Sequence, residues 1–486
     1  MAYIKGTPRE QQHLLPNYVE DYVSEDNSVR VIDAFVESLD LKQLGFKHTD
    51  QSAVGHPSYD PKDKLKLYLY GYMNRIRSSR RLETETKRNL ELKWLLKNLT
   101  PDFKTIADFR RDHKKELDKV FREFNRFADI MGLIGKQIVA IDGTKIKASN
   151  SRKNNYNKKK LDQKIKRLDD KIDTYLKELD ENDELESDTP RKSAEEIKDI
   201  VNKLKERKLI CQEAQQKMKD NGQTEVSTTD PDSRMMSNNN NNVDINYNIQ
   251  TAVDEKHKLI IDYKVINKPN DQGQLSIMGR RAKKILGKTF ILLADKGYYQ
   301  ATDLKKCAEH GLTTYVTQQT FAARTGDPDF AKSKFRYNPT KDTYTCPAGQ
   351  ELFPGRSRYH QGKKVGRDYK NMEACNRCSE RERCTTSKKG RSVMRTNDQA
   401  FLDQIDRQTK DNLHIYRTRQ MIVEHPYGTI KGSWGAYYFL TRGLRSVSAE
   451  MALVFTAYNM MRVINIVGVK KILEILHTQT WKAGLA

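Results

Sequence analysis

"KQIVAIDGTKIKA", Lys136 to Ala148, is where the helical period of the preceding chain stops. Ile138 to Ile141 form an apolar run closed by Asp142, with Gly143 next, and this predicts a buried central strand. A matching stretch lies downstream. "ILLADKGYY", Ile291 to Tyr299, is another apolar run that ends on a bare carboxylate, Asp295, followed by Lys296, Gly297 and two tyrosines. Between the two, "YNIQTAVD" and "KLIIDYKVIN", joined through "EKH", predict two more strands, and "GQLSIMGRRAKKILG" predicts a helix. Beyond Asp295, "ATDLKKCAEHG" predicts a helix and "LTTYVTQQ" a strand. Three meander-like strands followed by helix, strand, helix and strand suit an α/β domain with a mixed sheet.

Two kinds of helical sequence surround this body. Leu161, Ile165, Leu168, Ile172, Tyr175 and Leu179 step by three and four residues, and Ile197, Val201, Leu204 and Met218 resume the pattern. The polar stretch "ENDELESDTP" separates them, so a long antiparallel helical hairpin is expected between the first strand and the rest of the sheet. "SNNNNNVD" reads as a polar loop. Upstream, Leu65, Leu69, Tyr72, Met73 and Ile76 mark one helix, and the segment from Leu90 to Phe124 gives more, broken at Thr100-Pro101. Arg75, Arg77, Arg80 and Arg81 follow the first of these helices. Short helices with basic turns suit a DNA-binding bundle, although arginines on a merely solvated face would look the same.

The 486-residue chain carries 88 Lys plus Arg against 65 Asp plus Glu, a formal charge of +23. A chain this basic is expected to meet a polyanion, nucleic acid first. "MAYIKGTPRE" lacks the apolar core of a secretory signal. "AEMALVFTAYNMMRVINIVGV", Ala449 to Val469, has the length of a membrane span but contains Glu450, Asn459, Arg462 and Asn465, so a buried core helix is expected instead. These readings give a cytoplasmic protein with no membrane partner.

Asp142 and Asp295 each end a strand, and open α/β sheets bind ligands beyond strand ends. Two carboxylates delivered to one end of a sheet suit a hard divalent cation such as Mg²⁺. Taken singly, each would pass as a turn or helix-capping residue. "YRTRQMIVEHPYGTIKGSWG", Tyr416 to Gly435, offers a third carboxylate, Glu424, with Arg417 and Lys431 seven residues to either side. On a continuous helix all three share a face, although Pro426 disfavours helix at His425. A surface ion pair is the plain alternative for Glu424.

"AIDGT", "LLADKGYY" and "VEHPYGTIK", in this order, resemble bacterial insertion-sequence transposases of the DDE type. The resemblance spans most of the chain, including "LYLYGYMNRIRSSRRLE" and "NLTPDFKTIADFRRDH", which look like the helical region ahead of the catalytic core. It implies an RNase H-like fold, a catalytic triad of Asp142, Asp295 and Glu424, and a Tyr-Arg-Glu-Lys signature at Tyr416, Arg419, Glu424 and Lys431. The signature usually has three residues between Arg and Glu. Here there are four, so Arg417 and Arg419 both remain candidates. The implied cofactors are two Mg²⁺ ions, with Mn²⁺ as an alternative, and the implied partners are the element's terminal inverted repeats, target DNA and a second copy in a homodimeric DNA complex. Lys431 and the arginine would bind phosphate, and Lys296 would line the DNA channel. An RNase H-like nuclease without strand transfer, and a transposase-derived protein that only binds DNA, are the rival readings.

Cys211 and Cys307 sit singly in helical sequence and read as core. Cys346, Cys375, Cys378 and Cys384 fall in a Gly-, Pro- and Arg-rich stretch with the pattern C-x28-C-x2-C-x5-C. Four clustered thiolates suit a structural Zn²⁺, and an iron–sulfur cluster is the alternative. The expected organisation is a helical DNA-binding domain over residues 1–130, a catalytic core over 136–149, 228–319 and 411–470, a helical hairpin over 150–227, and a cysteine-rich insert over 320–410.

Overall fold

The computed structural model describes residues 18–49, 58–184, 193–220, 222, 225–237, 242–318 and 325–478. The stretch 238–241 of the expected polar loop and most of "ENDELESDTP" lie outside them, as does "MAYIKGTPRE". The chain is mixed α/β with a helical N-terminal region.

The central sheet has six strands: β1 Ile138–Lys147, β2 Arg234–Ser237, β3 Val243–Asp254, β4 Ile260–Ile266, β5 Ile291–Ala294 and β6 Thr313–Val316. Their order is β2-β3-β1-β5-β6, with β4 also on β3. The β1–β3 and β3–β4 pairs are antiparallel, whereas β1–β5 and β5–β6 are parallel. Each parallel crossover carries a helix, Leu275–Leu286 before β5 and Ala301–Glu309 before β6, as parallel pairing requires. The strand and helix expectations of this region are met, β3 beginning four residues earlier than its apolar signal.

One hydrophobic core runs from Val23 to Leu476. Helices Pro61–Met73 and Lys114–Ile130 of the N-terminal region pack on the long helix Leu444–Val467, which in turn lies on β4. Phe121, Tyr263 and Phe455 meet at this junction, with centroids 5.1 to 6.4 Å apart. Burying one such side chain contributes about 1.5–3 kcal/mol. The helical region therefore shares one core with the central sheet rather than standing apart from it.

The polar residues of the Leu444–Val467 helix have internal work. Glu450 accepts hydrogen bonds from the Leu440 and Thr441 backbone N–H groups and the Thr441 hydroxyl. Asn459 brackets Ile260, accepting from its N–H at 3.0 Å and donating to its carbonyl at 2.8 Å. No single helix among the described residues is long and apolar enough to cross a membrane.

The hairpin forms as two 27-residue helices, Lys158–Glu184 and Ala194–Asp220, with a separate small core that includes Leu161, Leu168, Ile197, Val201, Cys211 and Met218. Cys307 is fully buried in the main core. The cysteine-rich stretch holds something the sequence did not announce. Strands Arg336–Asn338, Thr343–Thr345, Glu351–His360, Lys363–Lys370 and Ser392–Thr396 make an antiparallel five-stranded sheet. Among the described residues, Phe335, Tyr344, Leu352, Tyr369 and Val393 form its buried core. Strands so rich in Arg, Lys and Gly show little apolar alternation, which is why the period did not reveal them.

Candidate active site

The register of the sheet brings Asp142 and Asp295 together. Ile141 of β1 pairs with Ala294 of β5 in the parallel ladder. One residue further along, Asp142 and Asp295 stand side by side, with the strands about 4.8 Å apart. Asp295 follows the end of β5, but β1 does not end at Asp142 as the sequence suggested, because it continues to Lys147 paired with β3, Asp142 lying opposite Thr251. Both are half-buried. Asp142 accepts the Gly143 N–H at 2.9 Å, and Asp295 accepts the Gly297 N–H at 2.7 Å, which caps a short 3₁₀ turn over Lys296–Tyr298. The capping role and the strand-end position thus coexist in Asp295.

Burial, and then the Asp295 charge, push the Asp142 carboxyl up to about 7, with Arg419 opposing them and Asp271 adding to them. Asp142 therefore sits among unneutralised negative charge. No Lys, Arg or His forms an ion pair with Asp142, Asp271 or Asp295 among the described residues.

Helix Leu413–Tyr427 lies across this end of the sheet. It passes through Pro426 without breaking and runs into a π-helical turn, Gly428–Ser433. Tyr416 reaches Thr317 just beyond β6, hydroxyl to hydroxyl at 2.8 Å. Tyr427 donates to the Asp142 carbonyl at 3.1 Å and shares a 2.6 Å hydrogen bond with Thr251. Lys431, in the π turn, donates to the Thr144 hydroxyl at 2.9 Å and the Lys145 carbonyl at 3.1 Å. Burial lowers the Lys431 pKa, and the nearby Asp142 charge partly offsets this.

Of the two candidate arginines, Arg419 is the half-buried one whose charge acts on Asp142, and Arg417 is exposed. The argument for Arg417 from a shared helical face assumed 3.6 residues per turn up to Lys431. The π turn widens the helix before Lys431 and breaks that phase. Glu424 is exposed and accepts one hydrogen bond, from Gln420 at 2.7 Å. Among the described residues no three of His, Cys, Asp and Glu stand ready to cage a metal ion.

The residues expected to meet DNA are differently placed. Lys296 is exposed beside Asp295. Arg81 is exposed, Arg80 stacks on Phe103 at 5.1 Å, and Arg75 reaches the Ser433 hydroxyl at 3.4 Å. Arg77 turns inward. It donates to the Tyr438 carbonyl at 2.8 Å, lies over the Tyr438 ring at 4.6 Å, and stands 3.7 Å from the buried Glu450. Tyr298 is fully buried, with its hydroxyl on Gln250, so it belongs to the core rather than a channel.

Sequence reasoning missed Asp271, Asn248, Gln250 and Tyr427. Asp271 precedes a helix and reads as a turn residue. A signal did exist for its partners: Asn246, Asn248 and Gln250 alternate along an otherwise apolar central strand and are all buried, and buried amides require polar partners.

Cys346, Cys375, Cys378 and Cys384 are all free thiols and line one small cavity together with Phe335, Leu352 and Arg391. Burial raises the Cys384 pKa, and the other three cysteines raise it further.

Comparison with known families gives two matches. A model described as a transposase domain (DUF772) matches residues 17–112, and one described as a transposase DDE domain matches residues 345–464. The second stretch takes in the four cysteines, Arg419, Glu424 and Lys431, whereas Asp142 and Asp295 lie outside both. No curated protein and no solved structure matches the chain.

Proposed function

Because this chain is a DNA transposase of the DDE, insertion-sequence type, we propose that Asp142, Asp295 and Glu424 are its catalytic carboxylates, carried on an RNase H-like sheet. The strand order supports that fold: three antiparallel strands, β4-β3-β1, continued by two parallel ones, β5 and β6. The observation that carries the reading is that Asp142, within β1, and Asp295, just past β5, stand side by side at the end of the parallel β1–β5 ladder.

Transposases of this type depend on a divalent metal, and the donor set here fits one. Two hard oxygen donors stand together, the Asp142 carboxyl pushed up first by burial and then by the Asp295 charge, and a cation would relieve that repulsion. Mg²⁺ is commonly held by one or two carboxylates, with waters and phosphate oxygens completing the shell, so an all-protein cage is not required. When bound, two Mg²⁺ ions, or Mn²⁺ in their place, would activate the attacking oxygen and stabilise the leaving one.

In the reaction, water attacks phosphorus at the element's end and the bond to the 3′-oxygen breaks. The freed 3′-hydroxyl then loses its proton and attacks a phosphorus of target DNA, the bond from that phosphorus to the target's own 3′-oxygen breaks, and the expelled oxygen takes up a proton, so atoms balance without another reactant. Arg419 and Lys431 are cations whose charges interact with Asp142 and would neutralise charge on the phosphate as it grows. Tyr416 and Tyr427 pin the helix that bears Glu424 to the sheet. Arg417, Arg75, Arg80, Arg81 and Lys296 are assigned to the DNA backbone, with Arg77 orienting the turn that carries them. The four cysteines would hold one structural Zn²⁺, an iron–sulfur cluster being the alternative, because five buried apolar side chains are few to sustain a five-stranded sheet. A homodimer on the paired element ends, acting in the cytoplasm, completes the reading.

The test is cleavage of end-bearing DNA in Mg²⁺ by Asp295→Asn, beside binding of the same DNA and a melting curve. A loss of about 4 kcal/mol of transition-state stabilisation slows cleavage about a thousandfold, while DNA binding is not weakened. Near-normal cleavage by the folded variant would remove Asp295 from the site.

A further inference from the structure

A third aspartate approaches the pair from a segment outside both matched stretches. Asp271 lies in the loop between β4 and helix Leu275–Leu286. Its Oδ1 accepts hydrogen bonds from Asn248 Nδ2 at 2.8 Å and Gln250 Nε2 at 2.6 Å, two amides of β3 that are 1% and 0% exposed. Gln250 in turn accepts the Tyr298 hydroxyl at 2.6 Å. This ties the Asp271 loop to the turn that follows Asp295.

Two glycines make room for the arrangement. A Cβ on Gly143 would fall 2.4 Å from both Asp271 Oδ1 and Gln250 Nε2. A Cβ on Gly297 would fall 2.9 Å from Asp295 Oδ1 and 3.8 Å from Asp271 Oδ2. Oxygens of Asp295 and Asp271 thus face one small space that side chains are kept out of. Asp271 Oδ2 accepts no hydrogen bond from the described residues.

A scaffold role does not account for the charge. The two amides that hold Oδ1 could also donate to the oxygen of an asparagine, so a neutral side chain would complete the same scaffold. The ionised group instead adds a negative charge beside Asp142 and Asp295, which destabilises the empty site. That charge has a use if a cation occupies the space.

We propose that Asp271 is a fourth carboxylate of the active site, acting with Asp142 and Asp295 on the divalent cation. This rests on the reading of Asp142 and Asp295 given above.

The experiment is Mn²⁺ binding to the full chain without DNA, followed by the electron paramagnetic resonance of free Mn²⁺, for wild type, Asp271→Asn and Asp142→Asn. Asp271→Asn is expected to weaken Mn²⁺ binding at least tenfold, without a lower melting temperature and without weaker binding to end-bearing DNA. Wild-type Mn²⁺ affinity in folded Asp271→Asn, with Asp142→Asn impaired, overturns this inference and leaves the aspartate pair intact. Wild-type affinity in both variants overturns the metal site itself. Should Asp271→Asn not fold, Fe²⁺ with ascorbate and peroxide provides a measurement on the wild-type chain. Backbone cuts within residues 268–274, beside cuts near Asp142 and Asp295, are expected, and their absence from 268–274 overturns the proposal.

Discussion

Asp142→Asn should make the metal-free protein more stable while abolishing its chemistry. A carboxyl raised from its ordinary 3.8 to about 7 corresponds to about 4 kcal/mol of unfavourable interaction in the ionised, folded form. Asn keeps an oxygen for the Gly143 N–H and drops the charge. Partial exposure and relaxation of the site reduce the recoverable part to roughly 1–3 kcal/mol. The pH dependence follows from the direction of the shift. Below pH 4 the group is protonated in both folded and unfolded chains, and nothing is lost. As pH rises through about 7 the folded chain must also ionise it, so the stability associated with neutral Asp142 is gone at pH 8. The advantage of Asn is therefore larger at pH 8 than at pH 5.5, by about half of its full value. The assay is thermal unfolding of both proteins in EDTA at the two pH values, with cleavage in Mg²⁺ measured in parallel. A lower melting temperature for Asp142→Asn at pH 8, or an advantage independent of pH, would refute the account of this residue. A gain in stability with loss of activity is the pattern expected of a group kept for chemistry.

Two other outcomes bear on the rest of the chain. Elemental analysis of folded protein made with zinc available should find about one zinc per chain, and Cys375→Ser with Cys378→Ser should lower that content; finding no metal would sink the assignment, and iron would favour the cluster. Arg77→Ala should lower stability by about 1–3 kcal/mol, because Glu450 and the Tyr438 and Gly435 carbonyls lose a half-buried cation, whereas Arg81→Ala should leave the melting curve unchanged and reduce the salt dependence of DNA binding by about one phosphate contact; the reverse pattern would mean that the two arginines have exchanged roles.

Local pattern carried much of this protein. The apolar runs at Ile138–Ile141 and Ile291–Ala294, the alternation between them, and the three-and-four spacing of Leu161 to Met218 are short-range signals, and the strands and helices they predict are present. The sequence also marked Asp142 and Asp295, because each interrupts its own apolar run; Asp295 does end its strand, whereas β1 carries on past Asp142 to Lys147. Their adjacency was a different matter. It depends on a parallel register, Ile141 against Ala294, joined through a helical crossover, and no local period encodes which residues meet across it. The same holds for Arg77, which lies among basic neighbours in sequence but faces Glu450 in space. Arg417 and Arg419 share a helix that changes pitch after Tyr427, ahead of Lys431, so spacing to Lys431 counted at 3.6 residues per turn misjudges the face. Asp271 is the strongest case. Its sequence context is that of any turn residue, and its meaning comes from Asn248, Gln250, Gly143 and Gly297, which only the folded sheet brings around one carboxylate.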